Sequence, residues 1–215
     1  MNKKNTKKEK GKIFVLSGPS GSGKTTLHKR VLKNKKISKV LVKTISATTR
    51  APRKGEKNGQ DYLFLTEKEF LYRRKIGYFL EWKKVFDCYY GTPKKLVDGV
   101  LKKGKNVLLC IDVQGAKVVF RQNKEAVGIF LKTKNMSVLK KRLQERGAET
   151  SEDFCRRIQT AQKEMKEIKK YKYVVINDVL DVATKKIESI LLDEINRETG
   201  GVNGVSTARK AFAQS

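Results

Sequence analysis

The sequence has one histidine, three prolines and three cysteines among its 215 residues. A single histidine argues against a hydrolase built on histidine chemistry. Cys88, Cys110 and Cys155 lie far apart, are odd in number and form no CxxC pair. That excludes a disulfide framework and a cysteine zinc site, and leaves three reduced thiols in the packing. No run of about 18 apolar residues occurs, so no helical membrane span is expected. The basic start MNKKNTKKEKGK is not followed by an apolar stretch of about 7–15 residues and a small-residue cleavage site, so no signal peptide is read and a cytoplasmic setting is expected. Acidic residues are scarce, at 22 Asp and Glu against 50 Lys and Arg, and the formal net charge is +28. Residues 1–12 hold six Lys and one Glu, a net of +5, which leaves +23 on the rest of the chain. Such a surface attracts polyanions, and composition does not separate nucleotides from RNA as partners.

What is present suits one folded domain with inserted subdomains. Apolar runs at KIFVLSG, Val40–Ile45, YLFLT, Tyr78–Phe86, Asn106–Asp112, Val127–Thr133 and Tyr173–Asn177 read as strands. Helical periodicity or capping residues mark Lys24–Leu32, a helix from the Thr66/Glu69 capping box to about Arg74, a helix starting at Pro93, Val138–Arg146, a long helix capped by Thr150 and Asp153, and Leu180–Glu198. Apolar strands alternating with amphipathic helices predict an α/β fold with a parallel sheet flanked by helices on both faces. Residues 1–11 and 199–215 read as a disordered Lys-rich tail and a mobile tail. The polar segment 46–92 breaks the rhythm and reads as an insertion on the ligand-binding edge.

GPSGSGKT, from Gly18 to Thr25, fits the phosphate-loop pattern G-x-x-x-x-G-K-[ST], with a strand before it and a helix after it. The loop Gly18, Pro19, Ser20, Gly21, Ser22 and Gly23 and the start of the following helix form a cradle for phosphate out of backbone N–H groups, with Thr26 continuing that helix. (Pro19 contributes only its carbonyl.) Lys24 is expected to reach the terminal phosphates of ATP, and Thr25 to hold Mg²⁺. The dianionic form of a phosphate acceptor needs little help from a base, which suits a chain with one histidine, His28, read as a packing or surface residue.

SATTRAPRKGEKNGQDY, from Ser46 to Tyr62, is a second polar segment. Arg50 and Arg53 are spaced to converge on one anion, Tyr62 and Tyr90 can add hydroxyl donors, and Glu56 can hold a guanidinium in place. A solvated basic loop is the plainer alternative. Here the residues resemble guanylate kinase: SATTRAPRKGEKNGQDYLF, FLEW, YYGTP and IDVQG follow the phosphate loop in that order. The resemblance spans Lys12 to Glu198 and implies a P-loop NTPase-type core, an inserted GMP-binding subdomain at about 46–92 and a helical lid at about 147–170.

That resemblance implies an ATP:GMP phosphotransferase that also accepts dGMP and serves guanine nucleotide synthesis and recycling, working as a monomer or homodimer. It implies a GMP phosphate held by Arg50, Arg53, Tyr62 and Tyr90, beside Gly91, and a guanine read by Ser46, Glu81 and Thr92. Arg142, Arg146 and Arg157 match the family's arginines that close on the triphosphate, joining Lys24 and Arg50 in the catalytic set, and Asn177 matches a position near the adenine. The family commonly has a carboxylate where this chain has Cys110. Strand alternation puts Cys110 and Asp112 on one face, with Asp112 directed toward the acceptor nucleoside or the water shell of Mg²⁺ and Cys110 as a buried packing residue. Three rivals stand beside this reading: a non-catalytic interaction domain of the same family, a related kinase with another phosphorylated acceptor, and non-specific RNA binding through the basic surface. The intact phosphate loop and arginine set count against the first, and the intact guanine-reading set against the second.

Overall fold

Five of the apolar runs pair into one parallel sheet of order β2-β7-β1-β8-β9. The computed structural model describes residues 10–85, 87–145 and 151–197. Arg146, residues 147–150 at the start of the expected lid, Phe86, Glu198 and the outer parts of both tails lie outside them.

β1 (Ile13–Ser17) is wholly buried at the centre and pairs with β7 (Asn106–Cys110) on one side and β8 (Val127–Lys132) on the other. β2 (Leu41–Lys43) closes one edge, and β9 (Tyr173–Ile176) the other. Strands this apolar need cover on both faces, and two buried clusters supply it. One gathers Phe14, Leu16, Leu27, Ile129, Leu131, Ile187 and Leu191, under α1 (Lys24–Val31) and α8 (Leu180–Asn196). The other gathers Val15, Val107, Leu109, Val119 and Phe130, under α4 (Lys94–Lys102) and α5 (Val113–Gln122).

Because these strands are parallel, their carboxyl ends open on one edge, where ligands bind in open α/β sheets. Gly18 follows β1, Asp112 follows β7, Thr133 follows β8 and Asn177 follows β9. A second, four-stranded sheet stands at this edge in the order β4-β3-β6-β5. Its strands are β3 (Ser46–Thr48), β4 (Tyr62–Phe64), β5 (Phe79–Val85) and β6 (Cys88–Pro93). It has its own small core of Ala47, Phe70 and Phe79, with Phe70 stacked on Phe79 at 4.4 Å. Phe70 comes from α3 (Glu67–Lys75), whose capping box is formed: Thr66 accepts from the Glu69 N–H and the Glu69 carboxylate accepts from the Thr66 N–H. The remaining helices are α2 (Lys35–Val40), α6 (Met136–Gln144) and α7 (Ser151–Met165), with a 3₁₀ turn at Lys166–Lys170.

Several boundaries differ from the sequence reading. The strand expected over Asn106–Asp112 stops at Cys110, because Asp112 caps α5 by accepting from the Gly115 N–H at 2.8 Å. Cys110 and Asp112 therefore do not share a strand face. Gly91, Thr92 and Pro93 are strand rather than punctuation, held by the antiparallel ladder to β5. Val40–Ile45 divides into the end of α2 and the short β2, and polar Ser46–Thr48 becomes a strand by pairing on both sides. α2 and α5 carry no expectation from the sequence.

Candidate active site

The phosphate loop turns from β1 into α1 with Gly23 in the left-handed region, at φ 92°. A side chain there would strain the turn and meet Asn177 Nδ2 at 2.3 Å. Asn177 is buried and donates to the Ser22 carbonyl at 2.8 Å, so it supports the loop from the end of β9. Lys24 Nζ donates back to the carbonyls of Gly18 at 2.6 Å and Pro19 at 3.0 Å. Thr25 is exposed at the start of α1.

Ser20, Gly21, Gly23, Lys24 and Thr25 form one wall of a cleft of about 570 Å³. The second sheet forms the opposite wall with Ser46, Tyr62, Glu81, Lys83, Tyr90 and Gly91. Cys110 and Asp112 make the floor, and Arg156, Arg157 and Glu164 reach in from α7. A cavity of about 230 Å³ adjoins it, lined by Arg50, Arg53, Glu56, Tyr62, Tyr90 and Lys43 among others. On the other side of the phosphate loop, Gly21, Gly23, Thr26, Arg142 and Asn177 line a third space of about 320 Å³. There Arg142 Nη2 donates to the Asn177 carbonyl at 3.2 Å. Arg142 and Arg157 thus stand on different sides of the loop, and Arg146 lies outside the described residues.

In the basic segment, Glu56 fixes the arginines. Its carboxylate accepts from Arg50 Nη2 at 2.9 and 3.0 Å and from the Arg53 N–H at 2.8 Å. Burial works against the Arg50 charge, but the Glu56 bond and charge outweigh it and raise the guanidinium pKa. The guanidinium also lies 5.6 Å from the Tyr62 ring centroid, which limits its swing. The Arg53 side chain remains exposed.

Glu81 is buried at 5% exposure, and burial lifts its carboxyl above the ordinary pKa. Thr92 Oγ1 donates to Glu81 Oε1 at 2.6 Å. A hydroxyl has one proton. Here that proton goes to Glu81, so Thr92 orients the carboxylate from the neighbouring strand. Gly115 leaves room for the carboxylate, since a Cβ there would sit 2.5 Å from Glu81 Oε2. His28, the only histidine in the sequence, is buried packing: its Nε2 donates to the Leu108 carbonyl at 3.2 Å. Burial, with Lys43 and Lys29 nearby, lowers its pKa to about 4. Cys110 lines the cleft rather than sitting in the core, and burial of its thiol pushes the pKa up to about 11.

Lys83, Lys84, Arg156 and Glu164 are charged residues of the cleft that escaped the sequence reading. Lys83 follows Glu81 by two positions and so shares its strand face, a signal already present in FLEWKK. It ion-pairs with Asp112. Glu164 of α7 is buried, accepts from the Ser20 N–H, and is held above its ordinary pKa by that burial, against the pull of Lys24 and Lys83. Its signal is weak, because a glutamate in an amphipathic helix reads as a solvated face.

Comparison with known proteins adds four findings. A family model described as guanylate kinase matches residues 10–194. Guanylate kinase from Caldanaerobacter subterraneus subsp. tengcongensis is 44% identical over 187 residues, 87% of this chain and 89% of the relative. Guanylate kinase from Wolbachia pipientis wMel is 43% identical over 190 residues, 88% of this chain and 93% of the relative. The crystal structure of guanylate kinase from Anaplasma phagocytophilum superposes with a TM-score of 0.71 at 32% identity, covering 91% of this chain and 89% of that one.

Proposed function

The chain belongs to the guanylate kinase family and is an ATP:GMP phosphotransferase, and from that premise we propose how its own residues divide the work. The carrying observation is the pairing of a phosphate loop with a buried carboxylate across one cleft of about 570 Å³. Guanine presents two adjacent donors, N1–H and N2–H₂, that Glu81 accepts together; adenine has no donor at N1. Ser46 lines the same wall. Arg50, Arg53, Tyr62 and Tyr90 hold the acceptor phosphate, with Glu56 fixing the arginines and Gly91 keeping the wall thin. Gly18 to Thr26 hold the ATP phosphates, and Asn177 and Arg142 flank the nucleoside side of the loop.

During transfer, charge spreads over the oxygens between donor and acceptor, and fixed cations lower its energy most when water is excluded. Lys24 and Arg157 reach that space from opposite sides and Arg50 from the acceptor end; Arg146, expected in the same set, lies outside the described residues. The acceptor oxygen is already ionised at neutral pH. No side chain is needed as a base; His28 borders the adjoining cavity, but its Nε2 is engaged by the Leu108 carbonyl. The cleft fits Mg²⁺: the Thr25 hydroxyl is a hard oxygen donor beside the phosphate cradle, and a small ion that keeps most of its waters needs few protein ligands. Bound with ATP, the ion neutralises phosphate charge. The same reading extends to dGMP, to supply and recycling of guanine nucleotides and to a cytoplasmic setting; among the described residues no helix is long and apolar enough to cross a membrane. The described parts of the subdomain at about 46–92 and, of the expected lid, α7 with the 3₁₀ turn after it are the parts that move, in a monomer or homodimer.

A second reading rests on the outer face of the second sheet. There Arg74 lies 4.8 Å over Trp82, Arg73 5.2 Å over Tyr78 and Lys84 5.4 Å over Tyr89. Interleaved cations and rings on a chain of net +28 suit weak binding of RNA. Such binding falls steeply with salt.

A coupled assay with ATP against GMP, dGMP, AMP, CMP and UMP tests the main reading. GMP should be the preferred acceptor, dGMP second, and the rest near background; Lys24→Ala should abolish turnover in a folded protein. AMP turnover equal to that of GMP would end the assignment of Glu81.

A further inference from the structure

We propose that Lys83 is a further ligand of the acceptor phosphate, on the side of that phosphate facing the phosphate loop. This rests on the GMP reading of the same cleft. Four observations converge on it. Alternation along β5 puts Glu81 and Lys83 on the inner face and Trp82 and Lys84 on the outer one, where both are exposed. In the antiparallel ladder Lys83 stands opposite Tyr90, so the two side chains lie side by side on the wall that meets the acceptor. Lys83 lines the cleft together with Lys24, Thr25 and Arg157. Its ammonium, 20% exposed, is ion-paired with Asp112, which is 13% exposed.

The charged groups around it come from every packed element. Asp112 faces it from the start of α5, Glu81 from its own strand, Glu164 from α7 and Lys24 from α1. A lysine held this deep loses hydration, and burial lowers its pKa to about 8. It therefore remains mostly protonated near neutral pH, in direct contact with Asp112. Asp112 has a second task, since its other oxygen caps α5. It can release Lys83 to a dianion and still cap α5. A phosphate beside Tyr90 offers the ammonium three oxygens at close range, and a partly dehydrated cation binds such a group more strongly than a solvated one. The lysine is long enough to turn from Asp112 to that phosphate without any backbone change.

The test is equilibrium binding of GMP and of guanosine, without ATP, to the full chain and to Lys83→Met at constant pH, with circular dichroism to check the fold. Guanosine keeps the base that Glu81 reads and lacks the phosphate. Loss of one charge-assisted contact should weaken GMP roughly 10- to 100-fold and leave guanosine within about twofold. Lys83→Gln, which keeps a polar head, serves if the methionine variant does not fold, and the same result is expected of it. GMP affinity unchanged within about twofold overturns the proposal, as does an equal loss for GMP and guanosine, which would mark Lys83 as support for the wall. Neither result depends on whether the unmodified protein phosphorylates GMP, so failure here is separable from failure of the acceptor assignment.

Discussion

Burial holds the Glu81 carboxyl above its ordinary pKa, and Thr92 gives it a proton donor on one side. Both of its direct donors come from Thr92, the hydroxyl and the backbone N–H. Guanine brings two. Glu81→Gln should therefore weaken GMP binding by about 1–3 kcal/mol while barely touching ATP, as read by calorimetry on each nucleotide. The raised pKa also sets a direction with pH: GMP affinity that depends on the carboxylate is full above that value and fades as pH falls through it. His28 works the other way round. Its pKa is lowered to about 4 from an ordinary 6.5, so the unfolded chain takes up a proton before the folded one does. Stability from this group is intact above 6.5 and is lost as pH falls toward 4. The full difference is about 3 kcal/mol. His28→Gln should remove that part of the acid loss, seen as a smaller drop in denaturant midpoint between pH 7 and pH 4 than the unmodified protein shows. An equal drop in both would mean that the ring is not held neutral by burial.

In the proposed reading, transfer depends on α7. It packs Phe154, Ile158 and Ala161 against Leu139 and Leu143 of α6, and presents Arg156, Arg157 and Glu164 to the cleft. Arg157→Ala should lower kcat by more than it raises KM, because the charge it meets is largest in the transition state. A change confined to KM would assign it to ground-state binding instead. Much of this element was legible: apolar residues recur on one face at helical spacing, and Thr66 with Glu69 announced α3 in the same way. The strands of the second sheet were harder to read. Ser46–Thr48 and Gly91–Pro93 lack an apolar signature, because their ladder partners on both sides hold them more than their own side chains do. α5 was hidden because Ile111 and Asp112 read on from NVLLC as strand, whereas Asp112 turns the chain by capping the helix that follows.

At the scale of the whole molecule, the two walls of the cleft belong to different elements, and in the proposed reading the acceptor and donor nucleotides bridge them. Each ligand should make closure easier for the other. GMP with a non-hydrolysable ATP analogue should raise the melting temperature by more than the two separate increments added together. Each ligand alone at 100 times its Kd contributes about 2.7 kcal/mol at most. Strictly additive shifts would mean that the sites are filled independently and that closure is not shared.

The order of motifs along the chain determined the chemistry by itself. A phosphate loop between strand and helix needs only local backbone geometry, so Gly18 to Thr25 announce their function in any reading. The segments after it carry the acceptor residues in a fixed order. The tertiary structure decided the partnerships. Glu56 holds Arg50, Thr92 gives its proton to Glu81, Asn177 braces Ser22 across 155 positions of sequence, and Lys83 meets Asp112. A side chain's type can be read from its letter. Whether its charge is solvated, paired or buried depends on which distant strand lies beside it, and only the paired sheets fix that.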